Sequence, residues 1–223
     1  MFPNNRPVTW HLENVPPGVS NDTVVSLMNA AFSAWSVFIN LSFVYSEFET
    51  SDVIVAFRSG KHPEDAGEFD GPRGVLAHAT LGSNPGFIHF DSDENWNWDE
   101  YPSFVAQAFS LRPIFKNVAT HEVGHLIGMK HRSEYGSIMN TYYAGTITEP
   151  SATDIAKARS IYGTRPGSAD PVQRSAFYYF VVTNISYILL AIVTLIIVQS
   201  TIVYAYKGAQ QRRRIYARIN DKV

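Results

Sequence analysis

Residues 121–131 read His-Glu-Val-Gly-His-Leu-Ile-Gly-Met-Lys-His. Two histidines four positions apart on a helix share a face, so His121 and His125 can offer both imidazoles to a single metal ion. Glu122 is offset by one position, where it can hold a water rather than ligate the metal itself. Gly128 can take a positive φ, end the helix and let the chain turn back to bring in His131 as a third ligand. Three neutral nitrogens leave the fourth position of a tetrahedral zinc ion open, as a catalytic site requires. The chemistry such a site supports is hydrolysis of a peptide bond, with Glu122 as general base. A lone histidine is ordinarily a satisfied core residue. This whole motif arises by chance only on the order of 10⁻⁵ times per chain of this composition.

Beyond His131 lies Ser137-Ile138-Met139, which resembles the Met-turn beneath the zinc of metzincin peptidases. The flanks, Val118-Ala119-Thr120 before the motif and Gly136-Ser137-Ile138-Met139 after it, look specifically like the matrixins, the matrix metalloproteinase family. The resemblance covers about residues 6–163, including the last stretch from Asp154 to Gly163. It implies a zinc metalloendopeptidase of α+β fold, with a twisted, mostly parallel five-stranded sheet and three helices. It also implies two kinds of metal besides the catalytic zinc at His121, His125 and His131. His62, Asp65, His78 and His89 match the ligands of a structural zinc, with Glu64 as an alternative carboxylate. Phe69-Asp70-Gly71-Pro72 and Phe90-Asp91-Ser92-Asp93-Glu94 resemble the calcium loop. There Asp70, Asp91 and Glu94 would give carboxylates, and Gly71, Arg73 and Val75 carbonyls, the oxygen-only set that suits Ca²⁺. A further calcium site of the family looks weakened, because Asp52 is in place but Phe87 stands where an acid is expected. Asn117, Met139, Tyr142 and Tyr143 match the substrate pocket, and Thr141 replaces a proline of its rim. The substrate is expected to lie extended along an edge strand near Val75–Ala79.

Elements able to position these groups are visible in the hydrophobic periodicity. Ser20 can cap a helix running to about Phe38, with Val24, Leu27, Met28, Ala31, Trp35 and Phe38 on one face. A second helix should cover about Ile114–Ile127, and a third should follow Pro150 and stop at Gly163. Strand-like runs fall at Val8–Leu12, Leu41–Tyr45, Val53–Phe57, Val75–Ala79 and Phe87–Phe90.

After this 6–163 domain, a linker rich in Pro and Gly is expected at 164–176, one transmembrane helix at 177–206 and a basic tail at 207–223. From Ser175 to Tyr206 there is no Asp, Glu, Lys, Arg or His, and tyrosines lie near both ends. The tail holds six Lys/Arg and one acid, a charge that ordinarily stays cytoplasmic and places the catalytic domain outside. The alternative is a tail-anchored chain with a cytosolic catalytic domain. Met1–Arg6 is polar and has no apolar leader, so the first arrangement implies that Met1 is not the native start.

Composition narrows the field further. The 223 residues are 45% hydrophobic with net charge −2, too apolar and too weakly charged for a disordered chain. They offer no basic footprint for nucleic acid, so no nucleic-acid partner is expected. The absence of cysteine excludes a disulfide framework, a thiolate zinc finger and a thiol switch holding an enzyme latent. The expected partners are protein or peptide substrates of the extracellular matrix or cell surface. The rival reading is a catalytically silent, membrane-anchored binding or adhesion module on the same fold, and an intact Glu122 argues against it.

Overall fold

The computed structural model describes residues 1–3, 5–62, 67–100, 112–143, 145, 147–168, 192–201, 203 and 204. The chain divides into two units, Met1–Ala169 and Asp170–Val223.

In the first unit the described elements run β1 (Val8–Leu12), α1 (Asn21–Ser36), β2 (Phe43–Tyr45), β3 (Val53–Arg58), β4 (Ala77–Ala79), β5 (Gly86–Asp91), α2 (Phe115–Leu126) and α3 (Ala152–Tyr162). The strands form one sheet in the order β2-β1-β3-β5-β4. All neighbours are parallel except β4, which runs antiparallel to β5 and closes one edge. The expected mostly parallel five-stranded sheet is therefore what forms, with three helices among the described residues of this unit. The central strands β3 and β5 are buried almost throughout, as parallel strands between packed layers must be.

Helix α1 starts where the sequence indicates, Ser20 Oγ accepting from Thr23 N (3.1 Å). Its apolar face carries Val24, Leu27, Met28, Ala31, Phe32 and Trp35 into the core. Trp35 Nε1 donates to Thr120 O (2.8 Å), which locks α1 to the helix bearing the zinc motif. The start of α2 is set by aromatic packing: Phe115 lies 4.6 Å from Phe90 of β5 and 4.9 Å from Trp98, ring centre to ring centre. Burying a phenylalanine of this kind contributes roughly 1.5–3 kcal/mol, enough to hold the helix at a fixed height over the sheet. In α3, Ser151 and Asp154 form a reciprocal capping box, and Gly163 ends the helix at φ +78°.

One boundary departs from expectation with a clear cause. The edge strand begins at Ala77 rather than Val75, because the Val75 amide donates to Asp70 Oδ1 (2.8 Å). Asp70 thus bends the approach to the edge strand.

In the second unit, residues 192–201 are helical and exposed, with Ser200 Oγ donating to Ile196 O (2.7 Å). Among the described residues no helix is long and apolar enough to cross a membrane. Of the span expected at 177–206, residues 177–191, 202, 205 and 206 lie outside the described residues, as do linker residues 169–176 and the tail 207–223.

Candidate metal centres and cleft

Helix α2 places His121 and His125 one turn apart. Gly128, at φ +93°, then reverses the chain. Its amide donates to His125 O (2.8 Å), and Arg132 N further on donates to Met139 O (2.9 Å), which returns His131 to the same point. The three Nε2 atoms form a triangle with sides of 3.0, 3.2 and 3.1 Å. A tetrahedral zinc 2.0–2.1 Å from each nitrogen would space them about 3.3 Å apart, so the donor set fits that ion. His121 Nδ1 donates to Ile138 O (2.7 Å) and His125 Nδ1 to Met129 O (2.8 Å). A carbonyl can only accept, so both rings carry their proton on Nδ1 and leave Nε2 bare for metal. Burial pushes His121 down to about 4 and His125 below its ordinary value, which keeps both neutral at pH 7.

Glu122 is only 4% exposed, and its Oε2 has no hydrogen-bond partner. Burial pushes its carboxyl up to about 8. A divalent cation held by the adjacent imidazoles acts in the opposite direction, favouring the charged base.

Support for this centre comes from below. A Cβ on Gly124 would lie 2.2 Å from Met139 Sδ and 3.0 Å from Trp35 Cζ2. Glycine within a helix costs about 1 kcal/mol relative to alanine, and here it makes room for the methionine. Met139 is therefore fully buried under α2 and is not on the cavity lining, unlike the other expected pocket residues. Asp154, also fully buried, accepts from Ser137 Oγ (2.7 Å) and Ile138 N (3.1 Å). Since Ile138 O holds His121, α3 reaches the ligand through this turn. Asp154 was absent from the sequence-derived site. Its one sequence signal is the Ser151-x-x-Asp154 capping pattern.

A second triad sits at the sheet edge. His78 and His89 are direct partners across β4 and β5, and His62 Nε2 lies 3.1 Å from His78 Nε2. Among the described residues, only these three and the α2 triad group as ligand sets of three or more. Phe69 stacks on both His62 and His78, at 5.1 and 4.6 Å, and Phe87 on His89 at 4.4 Å. Asp65 and Glu64, expected as the carboxylate ligand and its alternative, lie outside the described residues.

The acidic loops are close-knit. Asp91 is wholly buried, its Oδ1 accepting from Asp93 N (2.8 Å) and its Oδ2 without a partner. Burial, with the nearby charges of Asp93 and Glu94, raises its pKa. Glu94 accepts from Arg73 N, in a turn where Gly71 and Arg73 both adopt positive φ. An orphaned carboxylate oxygen beside a second acid suits a hard cation such as Ca²⁺. Asp70 is turned to the Val75 amide. At the position expected to be weakened, Asp52 accepts from both Arg6 Nη atoms (2.6 Å each), Thr9 N (2.9 Å) and Thr9 Oγ1 (3.0 Å). The guanidinium holds the Asp52 carboxyl well below the usual range and supplies its counter-charge from within the chain.

Two cavities meet at Ala77, Glu122 and His131. The first, about 420 Å³, lies between Gly74–Ala77 and a wall including Asn117, Val118, Ile138, Tyr142, Tyr143 and Ile147. Tyr143 Oη accepts from Ile114 N (2.9 Å), and Asn117 Nδ2 donates to Gly145 O (3.1 Å), so three of the four expected pocket residues share this wall. The second, about 480 Å³, is bordered by Ala77, His78, Ala79, Leu81, His125 and Lys130. Together they form a cleft along the unpaired side of β4.

Residues 2–163 match the family model described as Matrixin. Among curated proteins, interstitial collagenase of Sus scrofa is 34% identical over 178 residues, covering 77% of this chain and 34% of that protein. Matrix metalloproteinase-26 of Homo sapiens is 33% identical over 175 residues, covering 75% of this chain and 62% of that protein. Metalloendoproteinase 1 of Glycine max is 36% identical over 151 residues, covering 66% and 48% respectively. The chain thus spans roughly a third to three-fifths of the length of these relatives.

Proposed function

The chain belongs to the matrixin family, and on that premise we propose that it is a zinc-dependent metalloendopeptidase acting on an extended polypeptide held along β4. Matrixins bind catalytic and structural zinc and calcium, and the two histidine triads suit the zinc ions. The observation that carries the proposal is one coincidence. Three Nε2 atoms, two of them bare, converge beside a buried carboxylate oxygen without a partner, where two cavities meet.

His121, His125 and His131 would hold the catalytic zinc, and His62, His78, His89 and Asp65 the structural one. Asp91 and Glu94, with Asp70 and the carbonyls of Gly71, Arg73 and Val75, would hold calcium. When bound, the catalytic ion polarises the scissile carbonyl and acidifies a water. Glu122 Oε2 takes the proton of the attacking water and delivers it to the leaving amine nitrogen. The open edge of β4 aligns the substrate backbone by strand addition. The first cavity receives a side chain against Asn117 and Tyr143.

The uncharged stretch from Ser175 to Tyr206 supports membrane tethering, and the basic residues after it support an external catalytic domain. Matrix or cell-surface proteins are the substrates this arrangement favours. Peptide cleavage by the zinc-loaded wild-type chain is to be compared with Glu122→Gln. A fall of about 10²–10⁴-fold with unchanged zinc content is expected. Equal rates end the enzyme reading and leave a binding module.

A further inference from the structure

The two cavities flanking Glu122 differ in charge. The first has no lysine or arginine among the described residues of its lining. The second has apolar walls, Ala77, Ala79 and Leu81, and one cationic side chain, Lys130. Lys130 makes no hydrogen bond or ion pair with any described residue, and Glu122 is the one carboxylate on the same lining. Its backbone is well placed: Met129, just before it, is buried and accepts from His125 Nδ1, and His131, just after it, belongs to the triad. The backbone of Lys130 is thus fixed by its two neighbours, and its exposed side chain borders the second cavity.

Lys130 is exposed to solvent, so a carboxylate entering beside Ala79 and Leu81 gains a modest, salt-sensitive attraction to its ammonium. A cavity of this size accommodates an Asp or Glu side chain. We infer that Lys130 makes the second cavity a subsite for an acidic side chain. The preferred polypeptide then carries Asp or Glu on the side of the reacting bond that lies against Ala79 and Leu81. This rests on the peptidase reading for the bond's position, but the charge preference belongs to the cleft itself.

The test is a binding measurement. The full-length chain carrying Glu122→Gln, zinc-loaded and in detergent, is titrated with fluorescent peptides. In these a single Glu, Gln or Lys is walked through otherwise neutral positions, and the wild-type chain locates the cut in the same set. At positions confined to one side of the bond, Glu is expected to bind about fivefold more tightly than Gln, and Lys more weakly than Gln. The preference should shrink with added salt, vanish in Lys130→Ala and invert in Lys130→Glu. An unchanged affinity for the neutral peptide shows that these variants fold. Equal binding of Glu and Gln at every position, or a preference that survives Lys130→Ala, overturns the inference. Peptides bound with this preference but never cut would remove the peptidase reading and keep the subsite.

Discussion

His121, His125 and His131 occupy one turn-back of chain at the end of α2, whereas His62, His78 and His89 come from a loop, an edge strand and its neighbour. His62 and His78 bring their Nε2 atoms to 3.1 Å, much as His121 and His125 do at 3.0 Å. The first is built on a helix that is buried for other reasons: Phe115, Val118, Ala119, Val123 and Leu126 hold it against the core whatever the imidazoles bind. The second is its own scaffold. Lys61 and Glu68 bridge the ends of the loop that carries His62, and Phe69 lays it on His78. A metal there ties a loop to the sheet edge and opposes its chain entropy. On the proposed reading, metal at the helix would serve chemistry and metal at the edge would serve stability.

The sharpest way to break this division is to remove one imidazole from each triad. His125→Ala should abolish peptide cleavage, a loss on the order of 10³-fold or more, while leaving most of the thermal stability. His78→Ala should do the reverse to stability. Losing an ion held at a thousand times its Kd costs about 4 kcal/mol, a fall in Tm of roughly 10 °C, read by calorimetry with zinc present. If both variants lose the same stability, the two sites do not divide their roles as argued.

A second variant tests the support beneath the helix triad. Gly124→Ala forces the Met139 sulfur from under α2 and should cost about 1–3 kcal/mol in a denaturant melt, despite the better helix propensity of alanine. A stabilised protein would mean that Met139 moves freely.

The smallest expected effect concerns the acid that is paired with arginine rather than with metal. Asp52 has a folded pKa below its unfolded value of about 3.9, so its contribution is full above pH 4 and is lost as pH falls through the folded value. Arg6 is exposed, so solvent screens the pair and its contribution is small. Asp52→Asn should therefore be slightly less stable than wild type at pH 7, and the gap should close below pH 4. Its deficit relative to wild type should be the same with and without calcium, whereas the deficit of Asp91→Asn should shrink when calcium is removed.

Much of the helix site was legible in the chain because its information is local. A period of 3.6 residues puts His121 and His125 on one face, and a glycine three positions on allows the reversal to His131. The caps at Ser20 and Gly163 were legible for the same reason. The edge triad has no such period, and only likeness to a family singled out its members. Their meeting depends on the register that sets His78 against His89.

Spacing and residue type alone therefore decide that His121, Glu122 and His125 share one short stretch of helix, with a glycine after it to turn the chain back, because helix geometry is the same wherever the helix packs. Packing decides the rest. The sheet order exposes the side of β4 along the cleft, the contact with Gly124 buries Met139, and Asp154 of α3 reaches His121 through Ile138. The Asp70 contact starts the edge strand at Ala77. The same packing leaves Lys130 at the border of the second cavity, with no hydrogen bond or ion pair to any described residue. Each of these joins residues distant in the chain, and such distances close only when the sheet and helices bury their apolar faces together.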